Sequence, residues 1–255
     1  TPTLSSAASD VYKRQNGGDW VQLGQDLNGE APGDSFGKSV FMNPSGNRIA
    51  VGAPGGGYVQ IFELSGDSWQ PIGQRITGSD GDAYLGADVA MSNNGTRVAI
   101  GAPNGDNEGE TGFVQIYELL GDSWVQMGVN IQGGLVDEGY GGMVSMNAIG
   151  DRVAITAFRG GATAADPSTN VGLAQIVQLE NNDWNPIWET LIYPQEGRDP
   201  YLSVAMNATG DAIAIGALNP IRDDDAEIGL VRIYRMPQQA TAPISLTHTV
   251  TQATI

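Results

Sequence analysis

The sequence predicts an all-β repeat fold, and three observations carry that prediction. A strand-like phrase ending in Met recurs four times, at Met42, Met91, Met146 and Met206, and Ala50, Ala99, Ala154 and Ala214 each follow eight residues later. The copies lie 49, 55 and 60 residues apart, a period typical of one supersecondary unit stacked on the next. The chain of 255 residues holds 36 glycines, which suits many short strands joined by tight turns, and no apolar run is long enough to cross a membrane.

Each repeat divides into four strand-like pieces. The first runs from Phe36 to Met42, with counterparts at 85–91, 140–146 and 200–206. Gly46, Gly95, Gly150 and Gly210 follow each Met by four residues among Asn and Asp, which predicts a hairpin turn. The second piece, Arg48 to Pro54, recurs at 97–103, 152–158 and 212–218; it is apolar on both faces but built of small residues. Such a strand must be covered on both sides by close neighbours, a demand met at the inner strands of sheets packed face to face around an axis. The third piece, Gly57 to Phe62, recurs at 112–117, 172–177 and 229–234 and keeps Gln60, Gln115, Gln175 and Arg232 in one register. The fourth opens at Asp67-Ser68-Trp69 and is expected to run as one half-exposed outer strand to Ile76, with counterparts at 124–131 and 184–191.

A further copy of that outer strand, Trp20 to Leu27, precedes the first repeat, while the last repeat has none. In a closed ring the two ends would complete one shared sheet; in an arc of a larger ring the same count arises from where the chain is cut. Residues 1–15 and 237–255 stand outside the pattern, although Val11-Tyr12-Lys13 occupies the place of a third strand. The stretch from Asp10 to Gln15 resembles translated adapter sequence, so a non-native leader and a natural protein extending further upstream are expected. The tail from Pro237 is rich in Thr, Gln, Ala and Pro and reads as linker.

Phe36-Gly37 opening one strand and Gly52-Ala53-Pro54 closing the next, with Gly101-Ala102-Pro103 in the second copy, resemble the FG-GAP repeat of integrin-α-type proteins. The Gly-Asp-Ser-Trp linkers at 66–69 and 121–124 resemble the microbial and algal secreted variety. The resemblance covers residues 16–236 and weakens along the chain: Thr156-Ala157-Phe158 and Gly216-Ala217-Leu218 lack the proline, and Pro200-Tyr201 lacks the first signature. It implies a β-propeller of four-stranded antiparallel blades, innermost strand first, around a central channel. The blades would span 36–76, 85–131, 140–191 and 200–236. Integrin-like rings have seven blades, so four are expected to form an arc rather than a small closed ring. The resemblance also implies an extracellular or cell-surface adhesion module that binds a protein or glycan, often with calcium in an Asp-x-Asp-x-Asp-Gly loop between the first two strands. That calcium role does not carry over to the turns here, because 43–46, 92–95, 147–150 and 207–210 lack the oxygen ligands.

Composition narrows the function further. The formal charge of −17 opposes nucleic-acid binding, which needs clustered Lys and Arg, and suits either solubility or calcium-containing surroundings. The chain has no Cys, and its single histidine, His248, lies in the tail, so the repeat body has no means for Ser-His or Cys-His catalysis or His-ligated zinc. A carboxylate-pair glycosidase stays open, but no pair stands out. Gly37-Lys38-Ser39 echoes a phosphate loop, yet Pro32 replaces its first glycine and a strand follows. Asn94-Gly95-Thr96 and Asn207-Ala208-Thr209 match the glycosylation acceptor pattern, though turn chemistry accounts for both Asn residues.

The connection between the second and third pieces varies in length, and such loops are where binding specificity resides. Two are acidic: Asp106, Asn107, Glu108 and Glu110, then Asp223, Asp224, Asp225 and Glu227. They carry ligands for a hard cation such as Ca2+, although a solvated acidic turn is the simpler account. Trp20, Trp69, Trp124 and Trp184 share one repeat position and read as packing elements. Trp188 fills a slot held elsewhere by Gly24, Gly73 and Gly128, which makes it the candidate binding aromatic, with a repacked blade edge as the simpler reading. The expected function is a non-catalytic binding module; the alternatives are a propeller attached to or forming a secreted hydrolase, or a structural spacer.

Overall fold

The turn between the first two strands of each repeat is closed by a side chain. Asn43 Oδ1 accepts the backbone N–H groups of Asn47 and Arg48 at 3.1 and 2.9 Å. Asn147 does the same for Asp151 and Arg152, and Asn207 for Asp211 and Ala212. In the second repeat the Ser92 hydroxyl accepts from the Arg97 N–H. Each turn oxygen is therefore occupied by backbone donors, which suits a hairpin and not a cation loop.

The computed structural model describes residues 13–16, 19–78, 84–103, 111–134, 139–161, 170–187, 190–194, 202–217 and 229–236. All described regular structure is strand. A hairpin of β1 (Lys13–Asn16) and β2 (Asp19–Gln22) comes first. The first sheet is β3 (Ser39–Met42), β4 (Arg48–Ala53), β5 (Tyr58–Ser65), β6 (Ser68–Pro71) and β7 (Ile76–Thr77). The second is β8 (Asp88–Met91), β9 (Arg97–Ala102), β10 (Phe113–Leu120), β11 (Ser123–Gln126) and β12 (Ile131–Gln132). The third is β13 (Tyr140–Met146), β14 (Arg152–Gly161), β15 (Asn170–Glu180), β16 (Asp183–Pro186) and β17 (Leu191–Pro194); the fourth is β18 (Leu202–Met206), β19 (Ala212–Ala217) and β20 (Leu230–Arg235). Every strand pairing in these sheets is antiparallel; β3 to β6, β8 to β11, β13 to β16 and β18 to β20 are neighbours in sequence order, while β7, β12 and β17 pair back on β5, β10 and β15.

Two expectations need correction. The outer piece is not one strand: β6 and β7 pair separately with opposite ends of β5. The break falls at Gly73, whose φ of +69° is unfavourable for other residues, and a Cβ there would lie 2.6 Å from Trp124 Cδ1 in the next sheet. The second correction concerns Trp20 to Leu27, only part of which is strand. β2 pairs with β1 and not with β20, so it does not complete the last sheet. The β1–β2 register, with Asn16 opposite Asp19, matches Ser65 opposite Ser68 in β5–β6. The hairpin therefore takes the place of the outer half of a preceding sheet.

Between sheets, small residues set the approach. A Cβ at Gly52 would sit 2.0 Å from the Gly86 carbonyl oxygen, and one at Gly101 equally close to that of Gly141. The glycine of the second-strand signature thus receives the backbone of the next repeat's first-strand glycine. At the third junction both partners change together, Thr156 for one and Tyr201 (outside the described residues) for the other. Larger side chains fill the space beyond. Val59 and Ile61 meet Leu85, Val89 and Met91; Val114 and Ile116 meet Tyr140, Val144 and Met146; Ala174 and Ile176 meet Leu202, Ile213 and Ile215. Packing joins consecutive sheets, and among the described residues the last sheet does not pack on the first.

The end carrying the capped turns is tied together. Arg48 Nη1 donates to the Gly95 carbonyl at 3.1 Å, Arg97 Nη1 to Gly150 and Arg152 Nη1 to Gly210, both at 3.2 Å. Each guanidinium is oriented by its Nε, which donates to Glu63, Glu118 or Gln178 on the adjacent strand of its own sheet. The turns also bond one another: Asn43 Nδ2 donates to the Asn93 carbonyl, Asn93 N to Ala148 O, and Ala148 N to Ala208 O. At the periphery, Trp69, Trp124 and Trp184 each donate Nε1–H to a carbonyl of the preceding repeat, at Leu23, Ile72 and Met127.

Two stability measurements follow. Arg97→Ala removes a charge-assisted bond and frees a carbonyl, and is expected to lower unfolding free energy by about 1–3 kcal/mol in denaturant titration. Gly101→Ala drives a methyl into the Gly141 carbonyl and is expected to cost at least ~2 kcal/mol; an unchanged midpoint would contradict the close contact.

Candidate functional site

The opposite end of the sheets, where first strands begin and second strands finish, holds a cavity of about 710 Å³. All four repeats contribute to its wall, among them Lys38, Ala87, Pro103, Met143, Leu202 and Leu230. Among the described residues the wall is largely apolar, with the exposed Lys38 as its one charged lining residue. This volume lies within the range of small-ligand or side-chain pockets. The second-to-third strand connections leave the sheets at this same end, between Ala102 and Phe113, Gly161 and Asn170, and Ala217 and Leu230. Pro103 directly precedes the acidic segment 104–110, and Gly229 directly follows 218–228; both line the cavity.

Asp106, Asn107, Glu108, Glu110, Asp223, Asp224, Asp225, Glu227 and Trp188 all lie outside the described residues. Among the described residues, no group of three His, Cys, Asp or Glu side chains could hold a metal ion. Trp188 departs from the glycine that bends the outer strand at Gly24, Gly73 and Gly128, where φ is +69° to +80°. The other tryptophans divide. Trp69, Trp124 and Trp184 are buried, whereas Trp20 is 62% exposed.

Beside the cavity, Asp88 links three sheets. Ser39 on β3 donates its hydroxyl to Asp88 Oδ1 at 2.8 Å, and Val144 N on β13 donates to Oδ2 at 2.8 Å. The Ser39 oxygen in turn accepts the Val89 N–H. Burial pushes the Asp88 carboxyl above its ordinary value, against the pull of these donors. Composition gave no sign of this role; the signal was a lone Asp in a strand position otherwise held by Ser or Met. The Arg48, Arg97 and Arg152 series, in phase with Glu63, Glu118 and Gln178, was equally readable and equally missed.

A second polar cluster caps the first sheet at this end. The Tyr58 hydroxyl donates to Asp34 Oδ2 at 3.0 Å, and the same oxygen accepts the Glu30 and Ala31 N–H groups. Arg75 stacks over the Tyr58 ring at 4.4 Å from its centroid and pairs with Glu30. Burial first, then the Asp34 carboxylate, pushes the Tyr58 phenol up to about 12, so it is a neutral hydrogen-bond donor that orders residues 30–34.

No protein-family model matches the chain, and no curated protein is similar to it. Solved structures are. A putative 6-phosphogluconolactonase from Bacteroides uniformis aligns at 12% identity and a TM-score of 0.53, over 88% of this chain and 64% of that one. The β-propeller domain of Cps50 (Swd1) from Myceliophteria thermophila aligns at 13% identity and 0.41, over 70% and 48%. Hydrazine synthase from Kuenenia stuttgartiensis aligns at 11% and 0.49, over 76% and 49%. The fold is a β-propeller. At such identities the likeness concerns the fold alone, and the chain spans less than two thirds of each of these proteins. No helix among the described residues is long and apolar enough to cross a membrane.

Asp88 yields a pH-dependent test. The folded chain holds this proton more tightly than the unfolded chain, whose reference value is 3.8. Its contribution to stability therefore falls as pH rises from 3.8 through the raised folded value. Asp88→Asn should flatten that part of the stability curve relative to the parent, read as urea midpoints across the acid range. Asp88→Ala, which strands the Val144 N–H, should cost about 1–3 kcal/mol at neutral pH.

Proposed function

We propose that this chain is a non-catalytic binding module of FG-GAP type, acting outside the cell or at its surface, and that it recognises a protein or glycan at the cavity end. The observation that carries this reading is the cavity wall itself. It includes Pro103 and Gly229, the residues flanking the two acidic connections. Length and charge can change there without touching the hydrogen-bonded turns at the other end, so specificity is carried where the scaffold tolerates variation. An apolar wall flanked in sequence by two acidic connections suits a ligand that presents an apolar or sugar-ring face together with cationic or hydroxyl groups. The FG-GAP assignment rests on Phe36-Gly37, Gly52-Ala53-Pro54 and Gly101-Ala102-Pro103, and on the contact that Gly52 and Gly101 make with the following repeat.

A glycan array and a panel of secreted and surface ectodomains, each probed with calcium and with chelator, test the proposal. A ligand from either set should be lost on Ser203→Trp, which fills the cavity from an exposed lining position, by at least ~10-fold in affinity, with unchanged melting temperature. Turnover on a hydrolase-substrate panel, or a ligand indifferent to Ser203→Trp, would overturn it.

A further inference from the structure

The two Asn-x-Thr motifs, Asn94-Gly95-Thr96 and Asn207-Ala208-Thr209, both fall in the turn between first and second strands, but at different places in it. Asn94 directly precedes the turn glycine Gly95, as Ser45, Ile149 and Thr209 precede Gly46, Gly150 and Gly210. All four residues are exposed, and they differ in size and polarity, so no sheet junction depends on what this position carries. Asn207 instead matches Asn43, Ser92 and Asn147. Those three side chains are buried and supply the oxygens that close their hairpins.

The hydrogen bonds separate the two amides further. Asn94 Oδ1 accepts the Ser92 hydroxyl at 2.8 Å, the Thr96 N–H at 3.1 Å and the Thr96 hydroxyl at 2.9 Å. Its Nδ2 has no partner among the described residues, so every side-chain bond runs to the oxygen, which an N-linked sugar leaves in place. Asn207 uses both atoms. Its Oδ1 accepts from the Asp211 and Ala212 N–H groups, and its Nδ2 donates to Thr209 Oγ1 at 2.9 Å and Asp211 Oδ1 at 2.6 Å. A sugar in place of one amide hydrogen would remove one of those bonds and crowd the closed turn. Turn chemistry therefore accounts for Asn207 completely and for only the oxygen of Asn94. We propose that Asn94 carries an N-linked glycan in the folded protein and that Asn207, with the same motif, does not. The proposal rests on the extracellular reading above, because the co-reactant is a lipid-pyrophosphate-linked oligosaccharide of a secretory membrane. In the transfer, Asn94 Nδ2 bonds to the anomeric carbon and gives up one proton, the sugar–phosphate bond breaks, and the lipid pyrophosphate leaves. The flank of the turn is already occupied, since Arg48 lies against Gly95 and Asn93 N donates to the Ala148 carbonyl. The sugar leaves on the solvent side, at the end of the sheets opposite the cavity, so modification and recognition do not compete for one surface.

The test is secretion of the chain, behind a cleavable leader, from a eukaryotic host, then enzymatic glycan release in heavy-oxygen water and peptide mass mapping. The peptide containing position 94 should carry the label, and the peptide containing position 207 should not. Asn94→Gln and Thr96→Ala should each remove the whole glycan mass, Thr96→Ser should keep it, and Thr209→Ala should leave it unchanged. The double variant Ile149→Asn, Asp151→Thr builds the motif at the matching place of the third turn and should add a second glycan. A secreted, cooperatively melting chain without sugar at position 94, or with sugar at position 207, would overturn the proposal. So would a secreted double variant that gains no second glycan. The ligand panel and Ser203→Trp, run on the enzymatically deglycosylated chain, decide the binding reading independently of this outcome.

Discussion

The first three sheets depend on one steric fact: at their two junctions a glycine in the second strand lies against a carbonyl of the next repeat's first strand. Gly52 meets Gly86 and Gly101 meets Gly141 with no room for a single methyl group. With Ala50, Ala99 and Ala154 fully or almost fully buried nearby, the inner strands approach closely. At the outer strands Trp69, Trp124 and Trp184 hold the sheets apart. Small side chains near the axis and large ones at the periphery make successive sheets diverge like wedges, and the divergence produces the rotation about a common axis. Substituting a larger residue at the inner contact would therefore alter the relation of whole sheets as well as local packing.

Much of this was readable from residue order. The Met-to-Ala step, the glycine turns and the small apolar second strand together predict sheets covered on both faces, because only one stacking satisfies all three. The break in the outer strand was not readable. Alternation from Trp69 to Ile76 looks like a continuous strand, and only the position of Trp124 in the next sheet shows why Gly73 must turn aside. Trp20 misled for the same reason: its register equals that of the buried tryptophans, but burial is conferred by a preceding sheet. Asp88 escaped because a lone acid in a strand has no pattern, and its partners Ser39 and Val144 are 49 and 56 residues distant. The proposed binding residues lie in connections whose composition suggests chemistry but whose register follows no repeat.

The two ends of the stack are under different constraints. At the turn end, Asn43, Asn93, Ala148 and Ala208 form a chain of hydrogen bonds from sheet to sheet, and the guanidinium clamps lock each turn to its neighbour. A length change in the turn of the second or third repeat would disturb two junctions. At the cavity end, the connection between β4 and β5 is residues 54–57 and that between β19 and β20 is residues 218–229. Loop-closure entropy makes such a threefold difference in length worth only about 1 kcal/mol. The scaffold can therefore change its connections at this end at small thermodynamic cost, provided the turn end is left alone.

A stack built this way has no intrinsic stopping point, since every sheet presents a face that another sheet of the same kind would fit. Internal repetition alone would favour open-ended growth, with the aggregation hazard of any exposed apolar edge strand. Two features of the chain act against it. Ala212 removes the guanidinium that would grip a following turn, and a net charge of −17 opposes indiscriminate contact between copies.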